Sequence, residues 1–323
     1  MFTLTPIPLD AIRAAHQRIR DTVVRTPLLR LKADNLPAEI FLKPENLQPI
    51  GSFKLRGASN LILQTHQTDP SLLAEGVWTA SAGNMAQGVA WCARQLELPC
   101  TVVVPETAPE KKRHAIERLG ARIVSVSFQQ WMEVFETRHY AGMKGLFVHA
   151  FNDPAVMAGN GTVGLEILED LPDVDAIVVP YGGGGLSCGI ASATHALKPS
   201  VKVFAAEVEN AAPLATSWQA GTPTEIDYQP SFVDGIGAPR VFSGMWELAR
   251  QLLAGSLVSS VSEVASAVRL LAESNHLIAE GAGATPVAAA LASKAGPGKI
   301  VCVVSGGNID TGKLLQILQG QIP

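Results

Sequence analysis

Apolar positions recur along this chain in two rhythms, one of helical period and one of continuous short runs. Ile12, Ala15 and Ile19 fall on one face of a 3.6-residue period, so residues 9–20 are expected to form an amphipathic helix. Strand-like stretches follow at 28–31 and 40–42, and a helix capped by Ser52 is expected to run on through Leu61 and Ile62. From Val77 an alternation sets in. Strands are expected at 77–80, 101–104, 123–126, 146–149, 176–179, 201–206 and 300–304. Helices are expected at 85–96, 109–119, 129–141, 156–168, 186–196, 246–253, 263–274, 285–292 and 312–318, with a less regular stretch to about Gly237. Such alternation calls for right-handed crossovers and an open, mainly parallel sheet, hence an α/β fold. The strands read as near-continuous apolar runs, as expected when helices cover both sheet faces. No repeat, low-complexity segment or Pro/Gly/Ser linker divides the chain, so a second domain is expected as an excursion within the first.

Composition narrows the class. With 323 residues, 47% hydrophobic and 17% charged, the chain can bury a sizeable core and is not expected to be disordered. A net charge of -4 and the lack of any basic run argue against a nucleic-acid partner. Cys92, Cys100, Cys188 and Cys302 show no C-x-x-C spacing and lie in apolar contexts, so buried free thiols in a reducing compartment are expected. The opening Met1-Phe2-Thr3-Leu4-Thr5-Pro6 has no charged segment followed by an apolar run, and no apolar run reaches membrane-spanning length. A cytoplasmic protein without a signal peptide or membrane partner is the expectation.

Three strand ends and one lysine carry candidate chemistry. Gly182-Gly183-Gly184-Gly185-Leu186 lies between a strand and a helix, where bare backbone N–H groups and the positive helix end suit a phosphate. A tight turn would need only one or two glycines. A dinucleotide site, with Glu207 as its ribose acid, is the rival, but Ser187 or Cys188 stands where the third fingerprint glycine belongs. Ser81-Ala82-Gly83-Asn84 is either a helix cap or a carboxylate site, and Ser305-Gly306-Gly307-Asn308 repeats its geometry after the last strand. Lys54, after Gly51-Ser52-Phe53, either snorkels at a helix start or is held neutral there by burial and the helix dipole, fit to form a Schiff base. A phosphate site, a carboxylate site and a reactive amine together describe pyridoxal phosphate meeting an amino acid.

Read together, these stretches resemble the fold-type II pyridoxal-phosphate enzymes, within them the threonine/serine dehydratase and serine racemase family. The resemblance spans nearly the whole chain and rests on six runs: Lys43-Pro44-Glu45-Asn46-Leu47-Gln48 with Gly51 to Ala58; Ser81 to Asn84; Gly164-Leu165-Glu166-Ile167; Gly182 to Leu186; Glu280-Gly281-Ala282-Gly283-Ala284; and Ser305 to Asn308. It implies two tryptophan synthase β-like domains, a large cofactor domain of residues 1–48 and 145–323 with a small mobile domain of 49–144 inserted. It makes Lys54 the Schiff-base lysine beside Phe53, the five residues from Gly182 to Leu186 the phosphate cradle, Asn84 the partner of the ring hydroxyl and Ser305 that of the pyridine nitrogen. A neutral serine there makes the ring a weaker electron sink, which suits fast loss of a β-hydroxyl. Ser81 would hold the substrate carboxylate and Lys54 would act as the base at Cα. Glu280 would lie near the ring, or simply cap a helix; Asp234 matches a loop near the site, or an ordinary turn. A homodimer acting on a small amino acid follows.

Departures from the family pattern refine this expectation. Ala82 stands where the family has a second serine, which in the racemases is the acid/base opposite the lysine, and Met85 replaces a histidine. Glu207 matches the start of a divalent-cation site in many relatives, but Pro213 occupies the usually acidic position six residues on, leaving Glu209 or a structural role for Glu207 as alternatives. Ile50, Tyr181 and Met85 are unusual enough to hint at a substrate other than serine, such as 3-hydroxyaspartate or 3-phenylserine. The other readings are a β-replacing synthase, a threonine synthase, a nucleotide-binding oxidoreductase and a non-catalytic amino-acid sensor.

Overall fold

The structure is a computed structural model that describes residues 4–242 and 244–323; residues 1–3, part of the N-terminal stretch read above, and Ser243 lie outside the described residues. Helix α1 (Leu9–Ile19) buries Ile12, Ala15 and Ile19, the face its spacing predicts. Strand β1 (Leu29–Arg30) runs antiparallel to β2 (Glu39–Pro44), and a 3-10 turn at Glu45–Leu47 leads to α2 (Lys54–Thr68). Next come β3 (Val77–Ala80), α3 (Asn84–Gln95), β4 (Cys100–Pro105), α4 (Glu110–Glu117), β5 (Arg122–Val126), α5 (Phe128–Thr137) and β6 (Leu146–Phe147). They build a four-stranded parallel sheet of order β5-β4-β3-β6. The chain continues with α6 (Pro154–Asp170), β7 (Ala176–Pro180), α7 (Gly185–Leu197), β8 (Lys202–Val208), α8 (Pro213–Ala220), α9 (Met245–Leu252) and β9 (Gly255–Ser259). It ends with α10 (Val261–Asn275), α11 (Gly281–Leu291), β10 (Lys299–Val304) and α12 (Thr311–Leu318). These strands join β1 and β2 in a six-stranded sheet of order β1-β2-β10-β7-β8-β9, parallel throughout except for β1. Two open, mainly parallel α/β sheets are the fold-type II arrangement. Strand β6 pairs with β3, so the four-stranded unit runs past the expected boundary at residue 144.

Sheet order places the chemistry. β10 lies between β2 and β7, with Val304 beside Pro44, so the segments following all three strands leave the same carboxyl edge. The Lys54 loop, the glycine run and Ser305 thereby converge from distant parts of the chain. Helix α2 starts one residue later than its sequence suggests. Phe53, not Ser52, occupies the N-cap position, because Ser52 forms a bridge with Gly306 and the Phe53 N–H donates to the Ser305 carbonyl at 2.9 Å. Two elements escape local pattern reading. β9 is an edge strand with mostly half-buried residues, specified by its register on β8. α8 is capped from a distance, by Glu207 on β8.

Beneath Lys54 lies a buried charge cluster. Arg56 makes a bidentate contact with Glu45 at 2.7 and 2.8 Å and a second with Glu166 at 2.6 and 2.9 Å. Lys43 donates to Glu166 at 2.6 Å, and Thr26 and Gln48 bond the Glu45 carboxylate. All four charged side chains are at most 1% exposed. Two cations balance two carboxylates, so desolvation is offset locally and α2 is tied to both the turn after β2 and α6.

Candidate active site

Lys54 opens α2, and its Nζ donates to the Ala150 carbonyl at 2.7 Å, 5.0 Å from the centre of the Phe53 ring. Among the described residues no carboxylate lies within ion-pair distance of it. Burial pushes the amine down to about 8, opposed by the charge of Glu280, so a useful fraction is neutral near physiological pH.

The glycine run turns from β7 into α7 with Gly184 at φ +84 as the N-cap. The N–H groups of Gly182, Gly183, Gly184, Gly185 and Leu186 donate to no acceptor among the described residues. Side chains are excluded by the packing behind the loop. A Cβ at Gly183 would lie 2.1 Å from the Phe151 ring, and one at Gly185 would lie 2.7 Å from the Phe151 carbonyl. Free donors at a helix start form an anion cradle.

Ser81 follows β3, and its Oγ accepts the Gly83 N–H at 3.2 Å. Gly83 is the N-cap of α3 and makes no side-chain cap, so the first N–H groups of that helix remain available for a carboxylate. The alternative of an ordinary Ser/Asn cap is therefore not what forms. Asn84 instead reaches across, its Nδ2 donating to Glu280 and its Oδ1 accepting from Asn308, both at 2.8 Å. Glu280 occupies the N-cap position of α11 but forms no cap bond. Burial and the nearby Asp234 push its carboxyl up to about 7. Asp234 itself pairs with Lys112 at 2.9 Å.

Ser305, 3% exposed at the end of β10, keeps its Oγ free of protein partners among the described residues. The hydroxyl of Ser52 is buried with no hydrogen-bond partner. Unspent donors in the glycine run, two unspent serine hydroxyls and a depressed lysine amine at one sheet edge fit a phosphorylated pyridine aldehyde. Of these, the Ser52 hydroxyl is fully enclosed, and a buried polar group left without a partner is costly.

Glu207 spends its carboxylate on protein donors in this structure. Its carboxylate takes the N–H groups of Leu214 and Ala215 at 2.9 and 2.8 Å and the Ser256 hydroxyl at 2.6 Å. Burial pushes it up to about 7 despite these bonds. Among the described residues no group of three acidic, histidine or cysteine side chains gathers to hold a metal. Ile50, Met85 and Tyr181 are buried among apolar side chains. All four cysteines are buried free thiols. Sequence reading missed Asn308 and Ala150. Asn308 lay within a quoted motif, whereas a backbone carbonyl leaves no signal.

The comparisons with known proteins agree with this geometry. A family model described as pyridoxal-phosphate dependent enzyme matches residues 19–306. An L-threonine ammonia-lyase of Thermotoga maritima is 38% identical over 321 residues, covering 97% of this chain and 78% of the relative. The structure of maize serine racemase superposes with a TM-score of 0.89 at 32% identity, covering 98% of both chains. The processed form of threonine deaminase isoform 2 from Solanum lycopersicum gives 0.85 at 29% identity, covering 99% of this chain and 96% of that one. By these likenesses this chain belongs to the fold-type II pyridoxal-phosphate dependent enzymes, in the family of threonine/serine dehydratases and racemases.

Proposed function

We propose that this protein eliminates water from a β-hydroxy amino acid of the L-threonine or L-serine type, releasing a 2-keto acid and ammonia. The observation that carries the reading is the Lys54 amine, unpaired with any acid among the described residues and lowered to about 8 by burial. When bound, pyridoxal phosphate supplies the electron sink for the pair left on Cα. Gly182, Gly183, Gly184, Gly185 and Leu186 would hold its phosphate through their N–H groups, with Ser305 and Asn84 assigned to the ring nitrogen and ring hydroxyl and Phe53 and Glu280 beside it. Ser81 and the open N-terminus of α3 bind the substrate carboxylate, which fixes the orientation of the Cα–H bond. Lys54 takes the α-proton as general base. The Cβ–O bond then breaks as the Cα–Cβ double bond forms, and the hydroxide lost from Cβ and the proton taken from Cα together make up the water released, leaving Lys54 as a free amine. Hydrolysis of the enamine product gives the keto acid and ammonia.

Racemisation is a second reading, favoured by the likeness to the maize racemase. It needs an acid on the face opposite Lys54, and Ala82 carries no transferable proton. The test is direct. Purified protein should show a visible band that borohydride removes while modifying Lys54, and should release keto acid in a screen of serine, threonine, 3-hydroxyaspartate and 3-phenylserine. A colourless protein that cannot take up pyridoxal phosphate would sink the reading. Ala82→Ser should raise D-serine formation, and robust racemisation by the unmodified protein would overturn the assignment of Ala82. We also propose a homodimer in the cytoplasm and a small unit, expected over 49–144 and extended by β6 to Phe147, that moves on substrate binding; no helix of the described residues is long and apolar enough to cross a membrane.

A further inference from the structure

One buried titratable side chain has no part in the chemistry above. His149 is 5% exposed and boxed by aromatic rings, with centroids at 4.6 Å to Phe135, 4.8 Å to Phe151 and 6.1 Å to Phe147. Its Nδ1 accepts two backbone N–H groups, from Phe151 at 3.2 Å and from Asn152 at 2.9 Å. The Phe151 N–H and the Ala150 carbonyl belong to one planar peptide group and point in opposite directions. The carbonyl end of that same group accepts the proton of Lys54 Nζ at 2.7 Å.

We propose that His149 is a positioning residue for Lys54: its ring holds one end of the 150–151 peptide so that the other end presents a fixed acceptor to the amine. This rests on the reading of Lys54 as the reacting base. The ring must be neutral, since a protonated Nδ1 would face two N–H donors. Burial, with the positive charges of Arg138 and Lys54, keeps it so by pushing its pKa down to about 3. The same turn seats the glycine run, because the Phe151 ring fills the space a Cβ on Gly183 would need. A single side chain thus ties the amine and the phosphate cradle to one short segment. When Lys54 is freed by the incoming amino acid, the Ala150 carbonyl gives its amine a defined place from which to reach the α-proton.

Three variants test this in the cofactor-loaded protein. Asparagine places its carbonyl oxygen where Nδ1 lies, glutamine places its amide toward Nε2, and phenylalanine keeps the ring without the acceptor. His149→Phe should lower kcat by about 10- to 100-fold with KM within about twofold, as expected for a misplaced reacting group. His149→Asn should recover to within about threefold of wild type, and His149→Gln should stay at least about fivefold below His149→Asn. In the cofactor-free protein, the rate at which pyridoxal phosphate becomes borohydride-trapped on Lys54 should fall in the same order, read by mass spectrometry. If His149→Phe does not fold, the contrast between Asn and Gln decides. Equal kcat and trapping for Asn and Gln, or a Phe variant matching wild type, would overturn the proposal. Wild-type protein that traps no cofactor on Lys54 would overturn the functional reading, and this inference with it.

Discussion

Replacing Arg56 by methionine removes one charge from the buried cluster two residues beyond Lys54. Glu45 and Glu166 would then share only the ammonium of Lys43, which reaches Glu166 alone. Truncating one partner of a buried, hydrogen-bonded ion pair costs about 3–5 kcal/mol, because the remaining charge stays desolvated. For 323 residues the unfolding entropy scales to about 0.7 kcal/mol/K, so Tm should fall by about 4–7 °C. The pH dependence identifies the cause. Burial alone would push Glu45 up, but the charge and hydrogen bonds of Arg56 hold it below its ordinary value. A depressed carboxylate stabilises the fold above its unfolded pKa, and that contribution is lost as pH falls. Without Arg56 the shift reverses, and Glu45 becomes a group that favours the fold when protonated. The defect of Arg56→Met should therefore be larger at pH 8 than at pH 5. Adding Glu45→Gln removes the orphaned charge and should return about half the lost stability. Thermal and urea unfolding of the wild type, the single variants and the double variant measure these differences. A cost below about 1 kcal/mol for Arg56→Met, or a double variant less stable than the Arg56 single, would refute the charge-balance argument.

Other perturbations bear on the site itself. Gly183→Ala places a methyl group 2.1 Å from the Phe151 ring, and should cost about 1–3 kcal/mol and weaken pyridoxal-phosphate binding at least about tenfold; unchanged affinity by fluorescence titration would remove the loop from the phosphate site. Capture of the cofactor by Lys54 should rise about tenfold between pH 7 and 9, tracking an amine lowered to about 8, and a flat profile would count against its neutral form. In the cofactor-free protein the unfolded chain holds that proton up to about 10.4, so this lysine makes stability rise with pH between about 8 and 10. Glu207 is raised to about 7, so its contribution is present in acid and lost as pH climbs through 7; Glu207→Gln should flatten the stability profile between pH 5 and 7. Because its carboxylate is already filled by three donors, EDTA should leave Tm within about 1 °C, and a drop of several degrees would restore a cation to the site.

Much of this protein is determined locally. The helical period of its apolar residues specifies α1, and an unbroken short run between turn residues specifies β3, which is buried along its whole length. Glycine at the end of β7 and serine at the ends of β3 and β10 are likewise legible, since bare N–H groups and short hydroxyls suit a ligand in any context. So is Lys54, once these are counted together. What tertiary structure decided is pairing between distant residues. Asn84 could be read as a helix cap, and became the link between Glu280 and Asn308 only when two sheets met. Glu207 could be read as a cation ligand, and the start of α8 claimed it. Ser52 could be read as the cap of α2, and a bridge to Gly306 displaced it by one residue. Capping and ligation draw on the same few side-chain oxygens, and which donor reaches them is set by strand order rather than by spacing along the chain.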